Sequence, residues 1–358
     1  MDTYLFETTG VHCIVDGQFG STGKGALAAY LANHALKMDM AKYFSGAIYS
    51  GGPNSGHTCY VYDEQIVLKQ LPTFAVYLYL KGHIIPVYLS AGAVIDPIIL
   101  REEANRYPKL PIFVHPNAAV VTELDKEAEH SGHIAAVAGT RSGTGFALAR
   151  KVMRDPAAIA GNSLGNIAPN VIIQEHRIKP ELGAYFMEVA QGFSLGINSQ
   201  FYPKVTSREC TVMQGLADAR IPPRMLVHTY MAIRTFPIRV GNVDGHSSGN
   251  WYFDQNETTW EKLGAQVELT TVTKRIRRVA TFSLDQFYEA CRANYPDTVF
   301  VSHCDYLSDD AMKDLSDTLH TARNNMGQDF QFLFGYGPKV ENIWPSLQSE
   351  QSELFARG

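Results

Sequence analysis

The chain has 358 residues, of which 45% are hydrophobic, and a formal net charge of −5. This length and composition can bury a large core, so we expect one domain spanning residues 1–358. The acidic balance disfavours a nucleic-acid polymer as the main partner, and no apolar run is long enough for a membrane span. Five scattered cysteines without a Cys-x-x-Cys pair argue against a zinc site and favour reduced thiols in a cytoplasmic protein.

Apolar runs alternate with helical patterns along the chain, which predicts an α/β fold with a mostly parallel central sheet flanked by helices. Predicted strands cover 11–16, 84–90, 111–115, 182–188, 234–240, 298–303 and 330–334. Predicted helices cover 24–37, 97–106, 142–154, 212–232 with a break near Pro222 and Pro223, 283–294 and 308–325. The stretch 241–263 is rich in Gly, Asn, Asp and Ser and is expected to be an irregular excursion.

The turn between the first predicted strand and helix is the most informative segment; residues 17–25 read Gly-Gln-Phe-Gly-Ser-Thr-Gly-Lys-Gly. Glycines let backbone N–H groups converge on an anion, the new helix directs its positive end at it, and the lysine adds a charge. The loop is not a Walker A motif, because five residues separate Gly17 from Gly23 and Gly25 stands where Ser or Thr would bind Mg²⁺. The sequence predicts a phosphate-binding loop, and Gly25 disfavours a P-loop switch GTPase.

Four further regions contain residue types suited to nucleotide chemistry. Glycine-rich loops cover 50–58, which includes His57, and 139–145; the stretch from 188 to 207 contains Gln191 and Thr206. A basic run at 271–278 suits a dicarboxylate or a triphosphate. Taken alone, each region also has an ordinary explanation, such as a hydrogen-bonded surface histidine, a flexible loop or a solvated charge run.

Taken together and in this order, these segments resemble the adenylosuccinate synthetases. The family's loop, Gly-x-Gln-Trp-Gly-Asp-Glu-Gly-Lys-Gly, lies over 17–25, and its Gly-Gly-x-Asn-Ala-Gly-His-Thr lies over 51–58. Five further segments of the family are similar to parts of this chain. They are Gly-Thr-Thr-Gly-Arg-Gly at 139–145, Glu-Gly-Ala-Gln-Gly at 188–192, Tyr-Pro-x-Val-Thr-Ser at 202–207, Thr-Thr-Gly-Arg-x-Arg-Arg at 272–278 and Gly-Pro at 337–338. The resemblance spans residues 12 to about 343 and implies that family's P-loop-like fold.

The resemblance implies a ligase that phosphorylates the 6-oxygen of a purine nucleotide and lets the amine of L-aspartate displace the phosphate. It implies that Lys24, His57 and position 21 are catalytic, with His57 as the acid, and that Ser21 and the Gly56 carbonyl help to hold Mg²⁺. It also implies a homodimer in which Arg154 reaches the other subunit's site. The implied binding residues are Gly20, Thr22, Gly23, Lys24, Gly25, Asp305, Gly337 and Pro338 for the triphosphate, Ser21, Asn54, Thr140, Arg154, Gln191 and Thr206 for the purine monophosphate, and Thr273, Arg275 and Arg277 for aspartate.

Two departures from the family pattern bear on the substrates. Ser21 stands where the family has an Asp that acts as base on purine N1–H, and a hydroxyl leaves room for the 2-amino group of guanine and can accept its hydrogen bond. The family's guanine-reading Thr-Lys-x-Asp corresponds to 302–305, Ser-His-Cys-Asp, which keeps Asp305 but lacks the lysine. Because the lysine is missing, adenine becomes plausible in place of guanine as the base of the triphosphate.

Both departures resemble the phage branch of the family, whose members convert dGMP, aspartate and ATP or dATP into N6-succino-2-amino-2′-deoxyadenylate for diaminopurine DNA. The resemblance implies this Mg²⁺-dependent reaction, in the host cytoplasm if a phage encodes the chain. Two alternatives stay open: an ordinary adenylosuccinate synthetase acting on IMP, and a nucleotide-binding relative without turnover, which the missing carboxylate suggests. Without that carboxylate, purine N1 loses its proton either to water held by Ser21 or to a triphosphate oxygen.

Overall fold

The computed structural model describes residues 5–130, 139–175, 178–243, 245–270 and 274–348. The α-helices are α1 (Lys24–Lys37), α2 (Thr73–Leu80), α3 (Pro97–Arg106), α4 (Glu123–Ala128), α5 (Thr144–Val152), α6 (Ala160–Ser163), α7 (Val212–Asp218), α8 (Leu284–Asn294) and α9 (Asp309–Met326). The strands are β1 (Gly10–Asp16), β2 (Phe44–Ser50), β3 (His57–Val61), β4 (Glu64–Leu68), β5 (Val87–Leu89), β6 (Val94–Ile95), β7 (Ile112–Val114), β8 (Ala119–Val120), β9 (Val171–Ile173), β10 (Ala184–Val189), β11 (Leu226–Arg234), β12 (Ile238–Arg239), β13 (Glu257–Thr258), β14 (Arg278–Ala280), β15 (Thr298–Ser302), β16 (Gln331–Gly335) and β17 (Ile343–Trp344).

Ten of these strands form one sheet in the order β17-β16-β15-β11-β1-β10-β2-β5-β7-β9. Every pair in it is parallel except β16–β17, which confirms the predicted α/β class with a mostly parallel sheet. Because neighbouring strands run the same way, the loops after β1, β2, β10, β11 and β15 meet at one edge, where such sheets bind ligands. That edge contains the segments singled out in the sequence.

Helices cover both faces of the sheet. Leu27 and Leu31 of α1, Phe74 of α2 and Leu100 of α3 belong to the core on one face, and Phe287 of α8 belongs to the core on the other. Burial of apolar side chains on both faces is why the central strands read as continuous hydrophobic runs. Among the described helices, none is long and apolar enough to cross a membrane.

The predicted helix over 24–37 is confirmed, and it begins at Lys24 directly after the glycine-rich loop. Gly25 in its first turn lies against the chain at the start of the β3–β4 hairpin, since a Cβ there would be 2.3 Å from the Thr58 carbonyl oxygen. A Ser or Thr at this position would collide with that backbone. The packing of β3 on α1 therefore accounts for the departure from the Walker A pattern.

The predicted helix over 212–232 is wrong in its second half. The helix α7 ends at Asp218, and Pro222 and Pro223 precede β11, which lies between β1 and β15. A buried apolar run without clear alternation does not by its period distinguish a strand from a helix. The predicted strand 234–240 shrinks to β12, because the chain leaves the main sheet after Arg234.

The elements that have no counterpart in the prediction include β2, the β3–β4 hairpin and α2. The strand β2 starts Phe-Ser-Gly-Ala, which lacks the β-branched residues typical of strands. Gly46 is required there, since a Cβ would be 2.5 Å from the Tyr88 ring on the adjacent strand β5. The described residues of the excursion over 241–263 are irregular as predicted, apart from β13. That residues 1–358 form one domain stays a prediction.

Candidate active site

Two cavities lie over the carboxyl edge of the sheet. The first cavity extends from Lys24 and His57 to a lobe lined by Thr206 and Arg239, and the second lies on the other side of the β1–α1 loop, toward Asp305. Five residues line both cavities at their junction, namely Ser21, Lys24, Gly56, His57 and Arg277. The three residues predicted to be catalytic are therefore brought together at one point.

The β1–α1 loop is organised by Asp16, the last residue of β1. Its buried carboxylate accepts hydrogen bonds from the backbone N–H groups of Gln18 (2.8 Å) and Gly20 (3.2 Å) and from the Thr22 hydroxyl (2.5 Å). Between them, Ser21 has a φ of +55°, in the left-handed region that favours glycine. Such strained conformations cluster at functional sites. Sequence analysis missed Asp16, although a polar residue at the end of a buried strand was a visible signal.

The Lys24 ammonium is held at the junction by two acceptors. Its Nζ donates to Asp16 Oδ2 at 2.9 Å and to the Gln191 carbonyl oxygen at 2.7 Å. The lysine side chain is 5% exposed and the aspartate is fully buried. Because a buried charged group needs a partner, this pairing fixes the lysine side chain between the two cavities.

His57 is oriented by Glu188, the second residue that sequence analysis did not assign to the site. The ring Nδ1 lies 2.9 Å from Glu188 Oε2, and the other carboxylate oxygen accepts from the Phe74 N–H at 2.8 Å. A carboxylate only accepts, so Nδ1 bears the hydrogen. The buried Nε2 has no hydrogen-bond partner among the described residues. The imidazole is thus set to exchange a proton with a ligand through Nε2.

The first cavity brings together most residues predicted to bind the purine monophosphate. Asn54, Thr140, Gln191 and Thr206 line its outer lobe, and Asn54 Nδ2 donates to the Thr206 hydroxyl at 3.3 Å. Gln191 has a φ of +70°, and its buried Nε2 lacks a partner among the described residues. Arg154 lies apart from them: it is exposed beyond the end of α5 and lines neither cavity.

The predicted aspartate-binding residues lie on the opposite wall of the first cavity. Arg275 and Arg277 both line it, whereas Thr273 is outside the described residues. The backbone around them is closed by hydrogen bonds from Thr270 N to the Arg275 carbonyl (2.8 Å) and from Arg277 N to the Glu268 carbonyl (2.9 Å). This turn presents two guanidinium groups to the same space as His57.

The second cavity holds most residues predicted to bind the triphosphate. Thr22, Gly23, Lys24, Gly25, Asp305, Gly337 and Pro338 line it, while Gly20 lines only the first cavity. His303 also lines the second cavity, and burial, with the nearby Arg234 and Arg277, lowers its pKa to about 3. His303 is therefore a neutral imidazole at physiological pH, with one donor and one acceptor nitrogen.

A buried ion pair links the second cavity to the β1–α1 loop. Arg234, fully buried at the end of β11, donates to Glu268 at 2.5 and 3.2 Å and to the Ser21 carbonyl at 3.3 Å. The Tyr306 hydroxyl also donates to Glu268, at 3.1 Å. Burial disfavours the charged carboxylate, but Arg234 outweighs it and lowers the pKa of Glu268 to about 2. Sequence analysis missed this pair, because the predicted strand over 234–240 put Arg234 at the start of a strand, whereas Arg234 is the last residue of β11 at the carboxyl edge of the sheet.

The donor set at the junction suits Mg²⁺ brought by a nucleotide. Ser21 and Gly56 offer a hydroxyl and a carbonyl oxygen where the two cavities meet. The described residues contain no cluster of three His, Cys, Asp or Glu side chains that could hold a metal by themselves. Mg²⁺ prefers oxygen ligands, keeps several waters and commonly binds through substrate phosphates. A few protein oxygens therefore fit this ion.

A sequence model of the adenylosuccinate synthetase family matches residues 13–162 and 166–315 of this chain. This chain belongs to the adenylosuccinate synthetase family. Within it, the N6-succino-2-amino-2′-deoxyadenylate synthase of Vibrio phage phiVC8 is 36% identical over 349 residues, which cover 93% of this chain and 97% of that protein. The adenylosuccinate synthetase of Pyrococcus sp. (strain ST700) is 29% identical over 290 residues, 78% of this chain and 80% of that protein.

Solved structures agree with this family assignment. The succinoaminodeoxyadenylate synthetase of cyanophage S-2L, bound to dGMP and to dATP as an energy donor, matches with a TM-score of 0.85 and 32% identity over 98% of this chain and 99% of that chain. The fully ligated adenylosuccinate synthetase from Plasmodium falciparum matches with a TM-score of 0.71 and 17% identity over 94% of this chain and 99% of that chain, which supports the fold alone. The predicted adenylosuccinate synthetase fold is confirmed.

Proposed function

We propose that this chain is a C–N ligase that joins L-aspartate to C6 of dGMP, with ATP or dATP as phosphate donor, giving N6-succino-2-amino-2′-deoxyadenylate. The observation behind it is that Ser21, not a carboxylate, lies where the two cavities meet, while Lys24, His57 and Arg275 surround the same space. Phage proteins with this activity in their names are similar to the chain over almost its whole length. A hydroxyl at position 21 accommodates the guanine 2-amino group and accepts its hydrogen bond.

The first step is phosphoryl transfer between the cavities. The monophosphate occupies the first cavity, held by Asn54, Thr140, Gln191 and Thr206, and the triphosphate occupies the second. The purine O6 attacks the terminal phosphorus, the bond to the leaving diphosphate breaks, and N1 loses its proton. Lys24, fixed where the two ligands meet, stabilises the charge on the transferring group.

Mg²⁺ belongs to this proposal as an ion that Ser21 Oγ and the Gly56 carbonyl would help to hold, together with the phosphates of the nucleotide. When bound, it neutralises charge on the phosphates. Ser21 would also hold a water that takes the N1 proton, unless a triphosphate oxygen takes it.

His57 acts as the general acid. Protonated at Nε2, it donates to the 6-oxygen or to the phosphate that develops charge there, and the Glu188 carboxylate at 2.9 Å stabilises the imidazolium. General acid catalysis of this kind contributes roughly 10²–10⁴ in rate. The buried hydrogen bond to Glu188 also holds the orientation of the ring.

The second step is displacement by aspartate. Arg275 and Arg277, with Thr273, hold the two carboxylates, because a guanidinium fork matches a carboxylate better than an ammonium does. The amine attacks C6, the C6–O bond breaks and inorganic phosphate leaves. The products are the succinylated nucleotide, ADP or dADP, and phosphate.

Adenine is the proposed base of the triphosphate. Neutral His303, whose Nδ1 is hydrogen-bonded to the Ser302 hydroxyl at 2.8 Å, leaves Nε2 beside the second cavity for the adenine edge, and it stands where the family has the guanine-reading lysine. Asp305 lies in the same wall, and burial raises its pKa.

A homodimer is also part of the proposal. Arg154 is exposed beyond α5, away from both cavities of its own subunit, so a second subunit could receive it. Three exposed apolar side chains support a contact here: Leu124 on α4, Val152 at the end of the neighbouring α5 and Met153 directly after it. Light scattering tests the oligomeric state.

The deciding experiment is mass spectrometry of the products from a mixture of dGMP, GMP and IMP with aspartate, Mg²⁺, ATP and GTP. We expect the succinylated product of dGMP, with ADP release that needs dGMP and aspartate together. Succinylation of IMP alone would show an ordinary adenylosuccinate synthetase. Tight dGMP binding without any product would show a relative without turnover.

A further inference from the structure

Arg239, in the short strand β12, is a buried cation outside every motif singled out in the sequence. It is 2% exposed. Its Nε and Nη2 donate to the Ser248 carbonyl at 3.1 and 2.6 Å, and Nη2 also donates to the Lys204 carbonyl at 2.9 Å. The buried Nη1 has no hydrogen-bond partner among the described residues. One edge of the guanidinium is thus fixed by the backbone, and one donor is left over.

No acidic side chain in the described part of the chain forms an ion pair with Arg239. Its partners are backbone carbonyls, and burial together with the nearby Arg278 lowers its pKa to about 10. A buried charge without a counter-charge is costly, since desolvation is not offset by an opposite charge. The environment of Arg239 is therefore incomplete in a way that an anion would correct.

The position of Arg239 indicates where that anion would lie. Its guanidinium carbon is 4.4 Å from the centroid of the Phe19 ring, and this stacking restricts the planar group. Arg239 lines the outer lobe of the first cavity together with Asn54, Thr140 and Thr206. An amide, two hydroxyls and an unsatisfied guanidinium donor around one small space form a suitable site for a phosphate.

We propose that Arg239 binds the 5′-phosphate of the purine monophosphate, as a cation supplied from within the same subunit. This proposal rests on the proposed function, because it takes the first cavity as the nucleotide site. Arg239 contributes a charge-assisted hydrogen bond from Nη1, and the phosphate supplies the missing counter-charge. The partner's arginine at position 154 would then add to a site that already has its own cation.

The test compares dGMP with deoxyguanosine, which lacks the phosphate, by isothermal titration calorimetry on the full chain. We expect Arg239→Met to weaken dGMP binding roughly 10- to 100-fold, as for loss of a hydrogen bond to a charged group, and to leave deoxyguanosine binding within about twofold. Arg239→Lys keeps the charge without the fork and should fall between the two.

Arg278→Met is the matched control. Arg278 also holds the 247–249 turn, donating from Nη1 to the Gly249 carbonyl at 2.7 Å and to the Ser248 hydroxyl at 3.1 Å, but it lines neither cavity. We expect its dGMP affinity to stay within about twofold of the wild type, on the same hydrogen-bond scale. An equal loss in Arg278→Met would mean that the turn, not the cation, matters and would overturn the proposal.

A loss of dGMP and deoxyguanosine binding by the same factor in Arg239→Met would also overturn it. Circular dichroism of each variant identifies one that fails to fold, and Arg239→Lys then decides the question. If the wild-type chain binds IMP and not dGMP, the proposed substrate is wrong. The same comparison with IMP and inosine then tests Arg239 separately.

Discussion

The two cavities differ in how their polar groups are paired. In the first cavity, Gln191 Nε2 and Arg239 Nη1 are buried groups without partners among the described residues, and His57 Nε2, where the two cavities meet, is a third. In the second, Glu268 is already paired with Arg234 and Tyr306. The first cavity is arranged for a ligand that completes its hydrogen bonds, and the second is held by an ion pair of its own.

This difference predicts which property each region controls. A buried polar atom without a partner costs about 1–3 kcal/mol, which binding of the correct ligand recovers. Changes in the first cavity should therefore alter rate or affinity more than folding. Breaking the pair beside the second cavity leaves a buried charge uncompensated, so it should alter folding first.

The largest effect is expected for His57→Asn. Loss of the proton donor should lower kcat by roughly 10²–10⁴ while dGMP affinity stays within about threefold, because the monophosphate is held by other residues. Steady-state ADP release and calorimetry with dGMP measure the two properties. A variant that loses dGMP affinity but turns over normally at saturation would make His57 a positioning residue.

Glu268→Gln tests the buried Arg234–Glu268 ion pair beside the second cavity. The folded pKa of Glu268 is about 2, below its usual 4.5, so this carboxylate stabilises the fold above pH 4.5 and its contribution is lost as pH falls toward 2. The shift corresponds to about 3 kcal/mol at pH 7. At pH 7 the free energy of unfolding of the variant, measured with urea, should be lower than that of the wild type by an amount of this order. The difference should shrink between about pH 5 and pH 3.

Glu257→Gln is the control for that measurement. Glu257 also forms an ion pair with an arginine, Arg278, but its side chain is 44% exposed. Exposed pairs contribute less than about 1 kcal/mol, so this variant should unfold nearly as the wild type does. Equal losses in the two variants would mean that burial of the Arg234–Glu268 pair has no special effect.

Glu188→Gln tests whether Glu188 orients the His57 ring and stabilises its imidazolium form. An amide can still hold the ring but lacks the charge that stabilises an imidazolium, so we expect kcat to fall by about 10- to 100-fold with little change in the KM for dGMP. The pH dependence of kcat should shift as well, which a purely structural role would not cause. A thermal midpoint that falls while the pH profile stays unchanged would contradict this prediction.

The contrast between the regions also shows what the sequence could predict. The glycine-rich loop at 17–25 and helix α1 were predictable because their signals are local, and they bring Lys24 and Ser21 to the junction of the two cavities. The Arg234–Glu268 pair joins residues 34 positions apart, and Arg234 ends a strand whose earlier residues were predicted as helix, so no local pattern predicts the pair. Arg239 follows the same rule: its special feature is a missing partner, which only packing reveals. Thr273 lies outside the described residues, and its role stays a prediction.

Ser21→Asp acts at the junction of the cavities and is expected to have the smallest effect. A carboxylate there restores the family's base on purine N1–H but takes the space beside the purine 2-position, so kcat/KM for dGMP should fall by about tenfold while that for IMP rises. Ser21→Ala separates the two causes: it keeps the room but removes the hydroxyl, so it should weaken dGMP selectivity without favouring IMP. Competition assays with both nucleotides measure the ratio directly. An unchanged ratio in Ser21→Asp would remove this residue from the specificity argument, and selectivity would then have to arise from the other walls of the first cavity.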